Sequence, residues 1–145
     1  MALAAKLRRA PVRLVTGAYI VNSGVNMLSA DDATAAWLQG TAANAFPFVK
    51  RVGPTVFAKV LGASELAVGA ALLLPVVPAG LAGLALIGFG GALTAMYVRN
   101  QAWHDRYLRP TAEGTGYAKD VWLLGAGVGL LVDAALTESP ITATE

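Results

Sequence analysis

The stretch that decides the fold runs from Val60 to Tyr97 and reads VLGASELAVGAALLLPVVPAGLAGLALIGFGGALTAMY. Its only charged side chain is Glu65. As one helix this stretch would be about 57 Å long, nearly twice the roughly 30 Å hydrocarbon core of a bilayer. Pro75 and Pro78 divide it near the middle, and proline removes amide donors and disfavours helix in the residue before it. The sequence therefore predicts two membrane spans joined by a tight turn, at about residues 56–74 and 78–98.

Apolar segments on either side of this hairpin predict two more spans. The first covers about residues 12–28 and ends before Asp31 and Asp32, which can stop one helix and cap the next. The last covers about residues 118–136 and is followed by Pro140. We therefore expect a single all-α domain over residues 1–145, an integral membrane four-helix bundle.

The composition supports a membrane protein and excludes several other classes. Hydrophobic residues make up 56% of the chain and charged residues 14%, against roughly 25% charged in soluble domains. The chain has no cysteine, and His104 is its one histidine, so neither a thiolate nor a multi-histidine metal site is expected and no metal ligand is predicted. Basic residues flank the apolar runs and form no continuous stripe, which indicates the lipid bilayer as partner and argues against nucleic acid.

The segment between the first two spans suits the membrane surface. Residues 31–40 can form a short helix, and Phe46 and Phe48 then stand beside Lys50 and Arg51. Aromatic side chains next to charges are typical of an interfacial segment. The alternative is an ordinary loop that caps the bundle.

The orientation prediction depends on the basic residues near the first span. Four spans place both termini and the proline turn on one side of the membrane. The N-terminal cluster of Lys6, Arg8, Arg9 and Arg13 favours a cytoplasmic side for the termini. The two opposite loops contain more lysine and arginine, which favours the reverse. We predict a multi-pass protein of the cytoplasmic (plasma) membrane with cytoplasmic termini.

Glycines at helical spacings are predicted to pack the helices, since close approach of small residues drives association in lipid. They are Gly62 and Gly69 on the second span, Gly88 on the third, and Gly125 and Gly129 on the fourth. We expect one tight antiparallel bundle that leaves some small-residue surface for a neighbouring protein.

Glu65 lies near the middle of the predicted second span, where a charge costs about 2.5 kcal/mol or more. It must therefore be protonated, or face a partner or water. Gly62, Glu65 and Gly69 share a helical stripe, so Glu65 is expected to point into the packed seam. On the first span Tyr19, Asn22 and Asn26 form a matching stripe, and Asn22 is the expected hydrogen-bond partner, with Tyr19 and Ser23 nearby. This candidate polar cluster has two interpretations: a hydrogen bond that fixes helix register, or a site for a proton, a quinone or another small molecule.

Two other features receive structural interpretations. Arg13 and Asp133 could pair at one membrane face, or Arg13 could extend to the headgroups. His104 is expected to be a solvated loop residue, because no positioned nucleophile accompanies it. No catalytic residue is predicted.

Several short motifs are shared with a known family. They are residues 13–17 (RLVTG), residues 23–28 (SGVNML), residues 61–69 (LGASELAVG) with its Gly-x-x-Glu-Leu element, and Lys119-Asp120. In these motifs the chain resembles the DoxX family of small four-span membrane proteins. The family commonly has a lysine where Asn26 stands, so the resemblance supplies no charged partner for Glu65.

Some DoxX-like proteins are associated with membrane redox systems, including a subunit of thiosulfate:quinone oxidoreduction. The resemblance implies a non-catalytic accessory subunit, without a cofactor of its own, that docks on other integral membrane proteins of a larger complex. The alternative is a quinone-linked redox or proton-handling component that uses Glu65.

Overall fold

The structure, a computed structural model, describes residues 3–138 without the Glu138 side chain, and most of these residues lie in helices. The α-helices are α1 (Leu3–Leu28), α2 (Asp32–Ala45), α3 (Pro54–Leu73), α4 (Ala79–Arg99), α5 (Thr115–Ala118) and α6 (Val121–Glu138). Short 3-10 turns occupy Pro47–Arg51 and Gln101–Trp103. Strands are absent from these residues, and His104 and Pro110 form an isolated bridge. The predicted all-α class is confirmed.

Three helical segments of residues 3–138 are long and apolar enough to cross a membrane: Pro54–Leu73, Ala79–Arg99 and Thr115–Thr137. By their length and composition, the chain is a multi-pass membrane protein. Helix α1 is not among the three, because cations in its first turns and Asn22 and Asn26 further along make it less apolar.

The helix bounds differ from the predicted spans in two places. Helix α1 begins at Leu3, well before residue 12, and contains Pro11. Proline already has a helical φ, and here it leaves only the Leu7 carbonyl without its helical donor. The predicted last span starts at Ala118, where α5 ends, and a turn at Lys119 and Asp120 separates that residue from α6. At the central turn Pro78 caps the N-terminus of α4.

The long helices pack as two antiparallel pairs, α1 with α3 and α4 with α6. Glycine brings the backbones together in the first pair: a Cβ at Gly24 would lie 2.8 Å from the Gly62 carbonyl oxygen. In the second pair a Cβ at Gly83 would lie 2.9 Å from the Gly127 carbonyl oxygen. Where the pairs meet, the buried core consists of Ile20, Leu72, Ala82, Leu86, Leu123 and Leu130.

The predicted packing glycines divide into two groups. Gly62 and Gly69 lie in the α1–α3 contact. A Cβ added at Gly88, Gly125 or Gly129 would meet no described atom of another helix within 4 Å, so their predicted role in packing helices of this chain is wrong. The reason is their position around the helix. Gly127 faces α4, and Gly125 and Gly129 each lie two residues from it, which is about 200° around a helix of 3.6 residues per turn, so they face the opposite side.

Helix α2 packs across α3 and α4, at the end of the molecule where α1 finishes. Asp31 caps it by accepting a hydrogen bond from the Thr34 amide at 2.8 Å. This bond holds the pKa of the exposed Asp31 carboxyl below its usual value. At the other end of α2, Arg99 donates to the Ala45 carbonyl at 3.3 Å and covers the Phe46 ring at 5.0 Å. The segment therefore closes this end of the helix pairs.

Candidate functional site

Glu65 is buried on α3, with 6% of its surface exposed. The backbone of α1 runs directly beside it, since a Cβ at Gly24 would lie 3.1 Å from the Glu65 Cβ. Within the described residues its Oε2 atom has no hydrogen-bond partner. The helix contact thus encloses a carboxyl oxygen without satisfying it, and such a group costs free energy unless it is protonated or bound.

Ser23, which is partly buried on α1, is a polar neighbour of the Glu65 carboxyl. Asn22, the predicted partner, lies on α1 away from the seam and is not buried, and Asn26 and Tyr19 are likewise not buried. The structure therefore does not assemble the predicted cluster around Glu65. The face of α1 towards α3 is set by its glycines, and Asn22 lies two residues from Gly24, on the opposite side of the helix.

The sequence did contain the signal for this face. Gly17 and Gly24 on α1 have the same seven-residue spacing as Gly62 and Gly69 on α3. In the structure the two pairs meet, because a Cβ at Gly69 would lie 3.1 Å from the Gly17 carbonyl oxygen. Matching the two spacings would have placed Ser23 next to the seam.

Asp120 is a second acid close to this site, and from the sequence it was named only within the Lys119-Asp120 motif of the family resemblance. It is half-buried and interacts electrostatically with Glu65. The antiparallel packing puts the two at similar depth. Gly24 of α1 faces Gly62 of α3, so Glu65, three residues further along α3, is level with residue 21 of α1. Arg9 of α1 faces Asp133 of α6, so Asp120, thirteen residues earlier, is level with residue 22.

A groove of about 670 Å³ lies between α1 and α6, with Asp120 in its lining. The two helices make few contacts with each other, which leaves the groove open. Its walls are mainly apolar, and Tyr19, Thr16 and Lys119 add polar groups. This size and lining are typical of small-molecule sites.

An ionic cluster joins the start of α1 to the end of α6. Asp133 accepts from Arg8 Nε at 2.8 Å and from Arg9 Nε at 2.5 Å. Arg9 is only 3% exposed and also donates to the Thr137 hydroxyl at 3.0 Å. Of the two interpretations of Arg13, the pairing with Asp133 is not found, because Arg13 lies one turn further along α1. Its guanidinium instead donates to the Leu72 carbonyl at 2.7 Å and to other carbonyls at the end of α3.

His104 lies in the polar loop between α4 and α5, where its ring bonds to two backbone oxygens. Its Nε2 is 2.9 Å from the Val98 carbonyl oxygen, and its Nδ1 is 2.8 Å from that of Asp105. Carbonyls only accept, so both bonds form together when both ring nitrogens carry a proton. They raise the pKa of His104 above 6.5. This arrangement holds the loop and presents no base to a substrate.

Comparisons with models of protein families, with curated proteins and with solved structures found no match to this chain. Function must therefore be inferred from the packing faces, the buried acid and the charged ends of the helices.

Proposed function

We propose that the protein crosses the membrane four times, with α1 as the first span and α2 with its following turn at the membrane surface. Helix α1 follows α3 closely from Gly17 to Gly24, so it extends to the same depth. Its outer face is apolar, with Leu14 and Val15 exposed as lipid-facing side chains would be. Trp37 on α2 and Phe48 after it are also exposed, as an interfacial segment requires.

Within this architecture the protein is a DoxX-like, non-catalytic accessory subunit of a larger complex in the plasma membrane. The observation that carries this proposal is the outward face of α6. Gly125 and Gly129 stand one turn apart there with open space beside them, while other glycines pack the helices of this chain. Gly88 and Ala92 present the same four-residue spacing on the outer face of α4. In lipid, such small-residue surfaces let a helix of another protein approach closely.

Co-purification from native membranes tests this role, since an accessory subunit should bring its partner. We expect Gly125→Leu to reduce the recovered partner by about tenfold or more while the subunit itself still inserts, because the added side chain separates the helix surfaces. Ala63→Leu adds similar bulk to an exposed position of α3 and serves as the matched control. Absence of any partner from the wild-type preparation, or full recovery with Gly125→Leu, would contradict the proposal.

The second candidate function is a quinone-linked or proton-handling role for Glu65. It is favoured by the Glu65 Oε2 atom, which lacks a hydrogen-bond partner among residues 3–138, and by the presence of Asp120 at similar depth. Two neighbouring carboxyls in a low-dielectric interior favour at least one bound proton, which a proton-handling site needs. The groove between α1 and α6, which Asp120 lines, is large enough to admit a quinone head group.

Substitution of Glu65 separates the two candidates. In an accessory subunit Glu65→Gln should leave both the complex and its activity unchanged, because an amide fits the same space, can still form hydrogen bonds and carries no charge. If Glu65 handles protons, Glu65→Gln should abolish activity while the amount of complex stays normal. Glu65→Leu is the structural control, and we expect it to cost on the order of 1 kcal/mol of stability. Paired measurement of complex abundance and activity decides between these outcomes.

A further inference from the structure

A second groove, of about 570 Å³, lies between the first turns of α1 and the turn that joins α3 to α4. Lys6, Arg9 and Arg13 line it at helical spacings of three and four residues, so they form one face of α1. The remaining lining is mostly apolar and includes Leu7, Leu14, Leu73, Val76 and Val77. We call this feature the basic groove.

Two of the three cations that line the basic groove, Lys6 and Arg13, form no salt bridge with a carboxylate of the described residues. Arg9 is paired with Asp133. Arg13 bonds to backbone carbonyls, which carry no full charge, and Lys6 is exposed. Cations one helical turn apart repel each other, so a bound anion would stabilise this arrangement.

We propose that the basic groove binds an anionic phospholipid, with its phosphate near Lys6 and Arg13 and an acyl chain along the apolar walls. The location agrees with this occupant, since the groove lies at the ends of the membrane helices, where headgroups lie. Basic pockets between membrane helices bind anionic headgroups in this way. A free phosphate would satisfy the cations and leave the apolar walls uncovered, which is why a lipid fits better. The lipid would also hold the start of α1 against the α3–α4 turn.

Native mass spectrometry of the full-length, delipidated protein in detergent tests the proposal without any partner complex. The protein is offered equimolar palmitoyl-oleoyl phosphatidylglycerol and phosphatidylcholine. We expect the wild type to retain phosphatidylglycerol by more than about tenfold over phosphatidylcholine, since each cation near an anionic lipid contributes about fivefold. Lys6→Gln should lower that preference about fivefold. Lys59→Gln, which removes an exposed cation near the opposite end of the molecule, should leave it unchanged.

A second pair of variants tests the position without altering a cation. Val76 is 80% exposed in the groove lining, so Val76→Asp adds a negative charge there with little disturbance of packing. We expect Val76→Asp to lower the preference for phosphatidylglycerol about fivefold and the uncharged Val76→Asn to preserve it. Equal retention of the two lipids, or an equal loss with Lys59→Gln, would overturn the proposal. Displacement of the lipid by glycerol phosphate at the same concentration would overturn the lipid as occupant.

Discussion

At the scale of single residues, Arg9 and Arg13, the two arginines that line the basic groove, bind to different helices. Arg9 fixes α1 to α6 through Asp133, and Arg13 fixes it to α3 through the Leu72 carbonyl. Arg9 therefore joins the two helix pairs, and Arg13 strengthens the contact within the α1–α3 pair at the same end of the molecule. The sequence showed that cations and one acid would meet there, but it could not show which arginine takes the acid. That choice depends on the depth of α6 relative to α1, which only packing defines.

His104 gives a residue-scale prediction about pH. Because its folded pKa lies above 6.5, its two backbone bonds should stabilise the loop fully below the unfolded pKa, about 6.5. This stabilisation should be lost as the pH rises through the folded value. We expect NMR titration to give a pKa of His104 above 6.5. We also expect amide hydrogen exchange near Val98 and Asp105 to accelerate with rising pH by more than the intrinsic base-catalysed exchange rate does. A His104→Gln variant should lose the additional pH dependence. A measured pKa at or below 6.5 would contradict this account of the loop.

At the scale of elements, hydropathy and proline positions located the α3–α4 hairpin well. The helices begin and end within two residues of the predicted 56–74 and 78–98. It was harder to predict which side of each helix packs against a neighbouring helix and which side faces outward, because small residues occur on several sides of these helices. Gly83, Gly90 and Gly127 form the α4–α6 contact, whereas the predicted Gly88 and Gly125 face outward. Hydropathy does not distinguish such faces when both the lipid and the neighbouring helix are apolar.

The glycine seams give the element-scale prediction. Gly62→Ala would place a Cβ 2.8 Å from the Gly24 carbonyl oxygen, and backbone cannot yield as a side chain can. We expect it to destabilise the protein by about 1–3 kcal/mol, as overpacking does elsewhere. Gly125→Ala, with open space around it, is the matched control and should unfold like the wild type. Denaturant titration in micelles, followed by tryptophan fluorescence, measures both, and equal stability of the two variants would refute the close α1–α3 seam.

At the scale of the whole molecule, the two helix pairs meet around an apolar core and enclose Glu65. Length, composition and the proline turn were sufficient to predict an all-helical membrane protein. The site could be predicted only in part: Glu65 was identified from its isolation in an apolar stretch and Ser23 was expected nearby, but Asn22 was taken as the partner and Asp120 was not connected with the site. Asp120 comes near Glu65 through the packing of α6 against α1, and the depth of α6 relative to α1 cannot be read from the sequence alone.

The central claim is that α1 crosses the membrane together with the three more apolar helices. The chain has no cysteine, so a single introduced cysteine reports one position. Four exposed sites suit this purpose: Leu3→Cys, Val76→Cys, Lys50→Cys and Tyr107→Cys. In sealed vesicles, a membrane-impermeant maleimide should label Leu3→Cys and Val76→Cys from one side, and Lys50→Cys and Tyr107→Cys from the other. Labelling of Leu3→Cys from the same side as Lys50→Cys would show that α1 does not cross and would contradict the four-span account.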